Sequence, residues 1–205
     1  MSQANASNVN DVDNINSHLD HSDEYLDTLD ISASNSIDDE VLDSYYSREH
    51  VQSVLMATLN TIDEHINSGL ALPYFADIDS EQWQEKRKAL DIYITDENEG
   101  RELNLEARGK DYATNILSYP SDLPAAIIEL MPTLPLGELI ICHGVMVREA
   151  AEQEKTVPQH ISHLLIHGIL HLLGFDHELG QAEQDAMEAL EIEILAGLNL
   201  PNPYA

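Results

Sequence analysis

The sequence predicts an α+β fold, in which helices pack on a small mixed β-sheet. Short segments alternate apolar and polar residues, as half-buried strands do. Longer segments repeat apolar residues at helical spacing. Because several helices accompany few strands, the pattern indicates a small sheet covered by helices. With 205 residues, 43% of them hydrophobic, the chain is long enough to build a sizeable core.

The first half of the chain predicts two strands with one helix between them. Residues 29–33 alternate in polarity and predict the first strand. Apolar residues at helical spacing run from Val51 to Ile66, and Gly69 follows as a helix stop. We expect this helix to cover the sheet. Residues 90–95 again alternate, which predicts a strand with one exposed face.

The second half predicts two further strands and three helices. The strands are expected at residues 115–119 and 138–142, where apolar residues dominate. The helices are expected at residues 146–154, 159–173 and 182–196. The middle helix of these three contains the first histidines of a motif described below. From that motif we expect a three-histidine metal site at the end of a central helix.

Composition predicts the domain organisation and the compartment. Residues 1–24 are rich in Asn, Ser and Asp, which predicts an acidic, disordered tail before a single domain at residues 25–205. The tail resembles no signal peptide, and no apolar run of 18 residues predicts a membrane span.

The single cysteine, Cys142, lies in an apolar run and is interpreted as a core residue. One cysteine forms no internal disulfide and suits the cytoplasm, which is the predicted location.

The motif is HGILHLLGFDH, at residues 167–177. On a helix, His167 and His171 project from one face and can present imidazole nitrogens to one ion. Gly174 can adopt the left-handed conformation that ends the helix and returns His177 toward the same ion. Three ligands leave a tetrahedral ion one position for water, as in catalytic zinc sites. The expected cofactor is therefore one divalent ion, with zinc as the first choice and nickel as the alternative. His163 lies on the same face and is interpreted as a neighbour rather than a ligand.

The residue after the first histidine separates two classes of hydrolase. In metallopeptidases with the HExxH motif, a Glu at this position takes a proton from the metal-bound water. This chain has Gly168 there. General-base catalysis contributes about a hundred- to ten-thousand-fold in rate, so its loss disfavours proteolysis and favours hydrolysis of another bond.

Two further segments accompany the histidine motif: NLEARGKDYATNILSYP at residues 104–120 and LGELIICHGVMVREAAEQ at residues 136–153. Together the three segments resemble the YbeY family, from about residue 90 onward. The resemblance implies a single-strand-specific endoribonuclease that acts in ribosomal RNA processing, notably 16S 3′-end maturation, and in ribosome quality control. It implies ribosomal RNA and the small ribosomal subunit as partners, with ribosome-associated proteins as further candidates.

The resemblance also implies the roles of site residues. A zinc-type ion would be held by His167, His171 and His177, and an essential arginine of the family matches Arg108. A guanidinium offers paired donors that match phosphate oxygens, so Arg108 can stabilise the charge that develops on the phosphate. An ordinary surface salt bridge is the alternative role for this arginine. The nucleophile stays open between metal-activated water and the RNA 2′-hydroxyl, and no residue is assigned as the general base.

Three other polar residues are candidates for contacts with the ligands or with RNA. Asp176 precedes a ligand and could either orient the site or cap the turn. Lys110 lies in the segment RGKD. Glu138 stands where the family has Asp, so the charge is kept on a longer side chain. Phe175 replaces a family Tyr and keeps the aromatic packing.

The segment at residues 68–88 is longer than the family pattern suggests and is predicted to be an insertion. Pro73, Trp83 and the basic triplet at residues 86–88 lie in this segment. We expect a surface loop with a short helix, and the sequence assigns it no function.

Charge is the strongest objection to an RNA substrate. The net charge is −29, and phosphate contacts by Lys and Arg supply most nonspecific affinity for nucleic acids. Residues 1–47 and 178–205 contain no Lys or Arg. The basic residues that cluster are the triplet 86–88, and Arg101, Arg108 and Lys110. We therefore expect weak intrinsic RNA affinity, with the ribosome or a protein partner localising the enzyme.

Two other hypotheses compete with the endoribonuclease. A metzincin-like metallopeptidase would use the same histidine spacing but lacks the glutamate. A noncatalytic ribosome-assembly factor would use the metal only to stabilise its fold.

Overall fold

The computed structural model describes residues 28–205, and the tail predicted at residues 1–24 lies outside the described residues. The described residues form four strands, eight α-helices and a 3₁₀ turn, which confirms the α+β class. In chain order the elements are β1 (Leu29–Ala33), α1 (Asp39–Tyr45), α2 (Arg48–Asn67), the 3₁₀ turn (Pro73–Phe75), α3 (Ser80–Glu85), β2 (Arg87–Thr95), α4 (Glu97–Arg108), β3 (Ile116–Pro120), α5 (Ala125–Leu130), β4 (Thr133–Cys142), α6 (His143–Glu152), α7 (Val157–Leu172) and α8 (Gln181–Gly197).

The strands form one mixed sheet in the order β1-β2-β4-β3. β1 and β2 are parallel, with Ile31 opposite Ile92, and β2 is parallel to β4. β3 runs antiparallel to β4, with Ile116 opposite Ile141. Parallel neighbours require crossover connections, which α1, α2 and α3 supply between β1 and β2. Among the described strands, β3 pairs with β4 alone and lies at an edge of the sheet.

Helices cover both faces of this sheet. Gly168 of α7 lies against Leu139 of β4, and Gly100 of α4 lies against Cys142 of the same strand. Residues three apart on a strand point to opposite faces, so α7 and α4 lie on opposite sides. Cys142 is 2% exposed, as expected for a core residue.

α7 is the central helix, and its sequence fixes both of its ends. Thr156 and Gln159 form a reciprocal capping box at the start, with a proline in the first turn. Most of its residues are buried, since it contacts α2, α6, α8 and two strands. The helix ends before Gly174, which has a φ of +97°. The predicted helix at residues 159–173 is therefore present, two residues longer at its start.

Helices α1, α4 and α5 were missed by the sequence patterns, and α4 shows why. The buried residues on α4 are Gly100 and Asn104, so no apolar stripe marks this helix. Its ends are nevertheless visible in the sequence. Asp96 accepts hydrogen bonds from the backbone nitrogens of Asn98 and Glu99, and Gly109 has the left-handed conformation of a helix end.

Strands β2 and β4 begin earlier than predicted. β2 starts at Arg87 instead of residue 90, and β4 starts at Thr133 instead of residue 138. The first half of β4 contains Pro135 and Gly137, which are disfavoured in strands. Their presence hid this half of the strand from a polarity pattern.

The segment at residues 68–88 contains the 3₁₀ turn and the short helix α3, and it is anchored in the core. Trp83 is 2% exposed, packs on Phe75 at a ring-centroid distance of 5.5 Å, and donates from Nε1 to Asp63 Oδ1 at 2.6 Å. Lys88 is also buried, and its Nζ donates to the Trp83 carbonyl and lies 4.4 Å from that ring centroid. Because Lys88 points inward, the triplet at residues 86–88 does not form a continuous basic patch.

Among residues 28–205, no helix could span a membrane. None of them combines the required length with an apolar composition.

Candidate metal centre and groove

Three histidines meet at the end of α7. His167 and His171 lie one turn apart on the same face, and their Nε2 atoms are 3.1 Å apart. Each of their ring centroids lies 5.2 Å from that of His177. One ring nitrogen of each histidine lies within 4.8 Å of the others. The imidazoles thus converge on one point.

The donor set fits a divalent cation. Burial, together with the neighbouring His167 and His177, lowers the pKa of His171 to about 4, so this imidazole is neutral near pH 7 and can act as a ligand. Within residues 28–205, no Asp, Glu or Cys joins the group. Three imidazoles without a fourth protein ligand are typical of catalytic zinc sites, which keep an open position.

Two glycines build the centre. Gly174 turns the chain so that His177 returns to the helix end, and its φ of +97° is a conformation that favours glycine. Gly168 faces the sheet, because a Cβ built there would lie 2.8 Å from Leu139 Cδ2 and from Ile116 Cδ1. The position where metallopeptidases carry their glutamate therefore points away from the histidines in this chain.

The centre opens into a groove of about 680 Å³. One side is formed by the edge strand β3, and α7 forms another. Arg108, the last residue of α4, lines the groove together with Lys110. Arg108 Nη2 lies 3.3 Å from Glu178 Oε1, and both side chains are exposed. An exposed ion pair contributes about 0–1 kcal/mol, so a phosphate can displace Glu178 at little cost.

Most of this chain matches the model of a known protein family. Residues 44–199 match the family model described as Endoribonuclease YbeY. This match covers most of the sequence, including the three histidines and every groove-lining residue except Tyr204. The chain belongs to the YbeY family.

Two relatives agree with the YbeY assignment, and one solved structure shows a distant similarity. Endoribonuclease YbeY of Psychrobacter arcticus is 77% identical over the full length of both chains. Endoribonuclease YbeY of Psychrobacter cryohalolentis is 83% identical over 74% of this chain and 98% of its own. A solution structure of a Thermotoga maritima protein covers 83% of this chain and 91% of its own, with 19% identity and a TM-score of 0.44.

This YbeY-family centre contains a carboxylate that sequence reasoning missed. Glu191 of α8 is 1% exposed, and its Oε1 lies 2.8 Å from His167 Nδ1. Its Oε2 lies 3.0 Å from His163 Nε2 and accepts a hydrogen bond from the Tyr204 hydroxyl. Burial alone would raise the pKa of this carboxyl, but its hydrogen bonds outweigh burial and hold the pKa at about 2.

The ionised Glu191 fixes the orientation of His167. A carboxylate can only accept hydrogen bonds, so the proton of His167 must sit on Nδ1, which leaves the Nε2 lone pair available to a metal ion. The available sequence signal was a lone acid on the buried face of α8, beside Leu190 and Ile194. His163 lies against Glu191 and outside the three-histidine group, in agreement with its interpretation as a neighbour.

Of the remaining predicted site residues, two lie at the groove and one lies on the other face of the sheet. Asp176 lines it, and its Oδ1 accepts from the backbone nitrogen of Glu178 at 2.8 Å, which caps the turn. Glu138 is exposed on β4, one residue from Leu139, so it points to the sheet face opposite α7. Burial and the nearby Asp91 raise the pKa of Glu138. The structure thus brings Lys110 and Asp176 to the groove and separates Glu138 from the histidines.

A second polar cluster lines the other part of the groove and was also missed. Glu149 Oε2 lies 3.2 Å from His160 Nε2 and accepts from Asn115 Nδ2 at 2.9 Å. The hydrogen bond with His160 lowers the pKa of Glu149 against the opposing effect of burial, and the Asn115 bond adds to the lowering. These contacts join α6, α7 and the start of β3, so they brace the walls of the groove.

Proposed function

We propose that this chain is a metal-dependent endoribonuclease that cuts single-stranded RNA. The observation that carries the proposal is the group of three imidazoles, which no carboxylate or thiolate of residues 28–205 joins and which opens to a groove that also contains Arg108. Membership of a family described as endoribonucleases supports RNA as the substrate. The word endoribonuclease in that description denotes cleavage within an RNA strand rather than removal of terminal nucleotides.

The chemistry can be divided between a cation and side chains. A divalent ion bound by His167, His171 and His177 would supply Lewis acidity and a nucleophile at neutral pH. Arg108 would exchange Glu178 for a phosphate and hold the non-bridging oxygens through its paired donors. Water and the RNA 2′-hydroxyl remain the two candidate nucleophiles.

The cation proposed is zinc, with nickel as the alternative. Imidazole nitrogens suit both ions, and zinc accepts the three-ligand sets used in hydrolysis. No carboxylate of the described part of the chain joins the group, which disfavours magnesium and calcium, since these ions prefer oxygen ligands.

The biological proposal is maturation of the 16S ribosomal RNA 3′ end and ribosome quality control, in the cytoplasm. Ribosomal RNA and the small ribosomal subunit are the proposed partners, with ribosome-associated proteins as further candidates. The charge of −29 supports dependence on such partners, because long-range repulsion from RNA must be overcome. Arg108 and Lys110 are the basic side chains of residues 28–205 that line the groove, and this small number supports the same dependence.

The test is cleavage of a structured RNA with single-stranded ends by purified protein, by chelated protein, and by chelated protein with zinc restored. Cleavage that is lost on chelation and returns with zinc is expected. His171→Ala should abolish it, whereas His65→Ala, which alters a histidine paired with Glu193 on the surface, should not.

The same samples separate the alternatives. Cleavage that ignores chelation would contradict the metal-dependent mechanism. Zinc-dependent hydrolysis of casein without RNA cleavage would favour a metallopeptidase, against which the inward-facing Gly168 argues. Loss of stability in His171→Ala, with no hydrolysis by the unmodified chain, would favour the noncatalytic assembly factor.

A further inference from the structure

Tyr74 stands beside the metal centre, on the segment to which the sequence assigns no function. Its side chain lines the groove that also contains His171 and His177. It is 57% exposed, so more than half of its surface is open to solvent. An aromatic ring of this size, exposed within a groove, offers an apolar surface to a ligand.

The 3₁₀ turn holds Tyr74 through its neighbours. Pro73 begins the turn and fixes its own φ, while Phe75 is buried and packs on Trp83. Trp83 in turn donates to Asp63 of α2. The Tyr74 backbone nitrogen also donates to the Leu173 carbonyl at 3.4 Å, at the end of the metal-binding helix. The ring is thus carried by a turn that is attached to the core.

Gly174 lets this turn approach the metal centre. A Cβ built on Gly174 would lie 2.8 Å from Pro73 Cβ and 3.0 Å from Tyr74 Cγ. Any larger residue would push the turn away from the end of α7. The glycine that returns His177 to the centre therefore also places Tyr74 next to it.

We propose that Tyr74 is a stacking platform for an unpaired nucleobase of the RNA bound at the metal centre. This inference rests on the proposed endoribonuclease function. Bases of single strands expose their faces and stack on aromatic side chains, whereas bases in a duplex are already stacked. Stacking on Tyr74 would therefore favour single-stranded RNA.

The charge of the groove gives stacking a larger share of the affinity. Among residues 28–205, the Lys and Arg side chains that line the groove are Arg108 and Lys110. Two cations make few phosphate contacts, and the whole chain repels RNA. A contact that does not depend on charge, such as stacking, compensates for this shortage.

The experiment compares Tyr74→Ala, Tyr74→Phe and Tyr112→Ala in the full chain. Tyr112 is 55% exposed but does not line the groove, so it is a matched control. Binding of a short labelled single-stranded RNA is measured by fluorescence anisotropy. A second series carries 2-aminopurine at successive positions, because stacking quenches its fluorescence. Zinc content is checked in every variant.

Tyr74→Ala should weaken binding by about 5- to 100-fold and remove the quenching at one position, as expected for the loss of one stacked base. Tyr74→Phe and Tyr112→Ala should bind as the unmodified chain does. Equal loss in Tyr74→Ala and Tyr74→Phe would overturn stacking and indicate a contact through the hydroxyl. Unchanged binding by Tyr74→Ala, while the unmodified chain cuts RNA, would overturn this inference alone. Failure of the unmodified chain to bind and cut RNA would overturn the proposed function itself.

Discussion

Arg108 combines exposure with a weak partner, which is what a phosphate-binding side chain requires. It ends α4 at the groove, and Glu178 is its ion-pair partner. A residue whose stabilising contact is worth little can be moved by substrate without cost to the fold. Arg108 can therefore be replaced without loss of stability, unlike the histidines and Glu191.

Replacement of Arg108 by Ala is expected to keep the fold and the zinc content but to lower the cleavage rate by about 10²–10³-fold, the usual loss when a charge-stabilising donor is removed. Single-turnover cleavage and metal analysis measure the two effects. Arg101→Ala is the control, since Arg101 lies on the same helix and pairs with Asp111 at 2.6 Å outside the groove. Loss of zinc from the Arg108 variant would instead give this residue a structural role.

Glu191 acts on the metal centre through His167. Glu191→Gln should lower zinc affinity by about 10–100-fold, because an amide no longer fixes the proton on His167 Nδ1 as a carboxylate does. Competition with a chromophoric chelator measures the affinity. Glu193→Gln, on the same helix and exposed, should leave it unchanged. If Glu191→Gln bound zinc as tightly as the unmodified chain, Glu191 would not position His167.

At the level of elements, α7 combines two functions in one helix. One face presents His167 and His171 of the three-histidine group, and an adjacent face packs on the sheet through Gly168. The absence of a side chain at Gly168 sets how closely the helix approaches β3 and β4. This close packing places His167 and His171 next to the edge strand that lines the groove.

Gly168→Ala should destabilise the protein by a net amount of about 1 kcal/mol. The new Cβ would press on the buried Leu139 and on Ile116, at about 1–3 kcal/mol, and better helix propensity offsets about 1 kcal/mol of this. Gly197→Ala, near the end of α8, has no atom within 4 Å of the new Cβ and should be neutral or stabilising. Urea unfolding compares the two variants. A Gly168 variant as stable as Gly197→Ala would show that the helix adjusts freely.

For the whole molecule, the net charge affects the proposed binding of RNA. The net charge of −29 opposes RNA, while the groove offers Arg108 and Lys110. Two phosphate contacts predict a slope of about −1.4 for log affinity against log salt with single-stranded RNA, at about −0.7 for each contact. A salt titration by anisotropy measures the slope. Arg108→Ala should reduce it to about −0.7, and a flat response of the unmodified chain would exclude phosphate contacts by both residues.

The sequence by itself determined the three-histidine group and the main strands and helices. His167, His171 and His177 lie within eleven residues, and their convergence needs only one helical turn and the left-handed Gly174. Polarity patterns likewise reflect which face of a local element is buried. Helix α4 escaped these patterns because it packs through Gly100 and Asn104 instead of an apolar stripe.

Tertiary structure decided what surrounds the three histidines. Glu191 meets His167 across 24 residues, and Arg108 meets Glu178 across 70 residues. Tyr74 reaches the groove because Gly174 leaves room for its turn. Contacts between such distant segments depend on how helices pack on the sheet and on how the strands are ordered, which local periodicity does not encode.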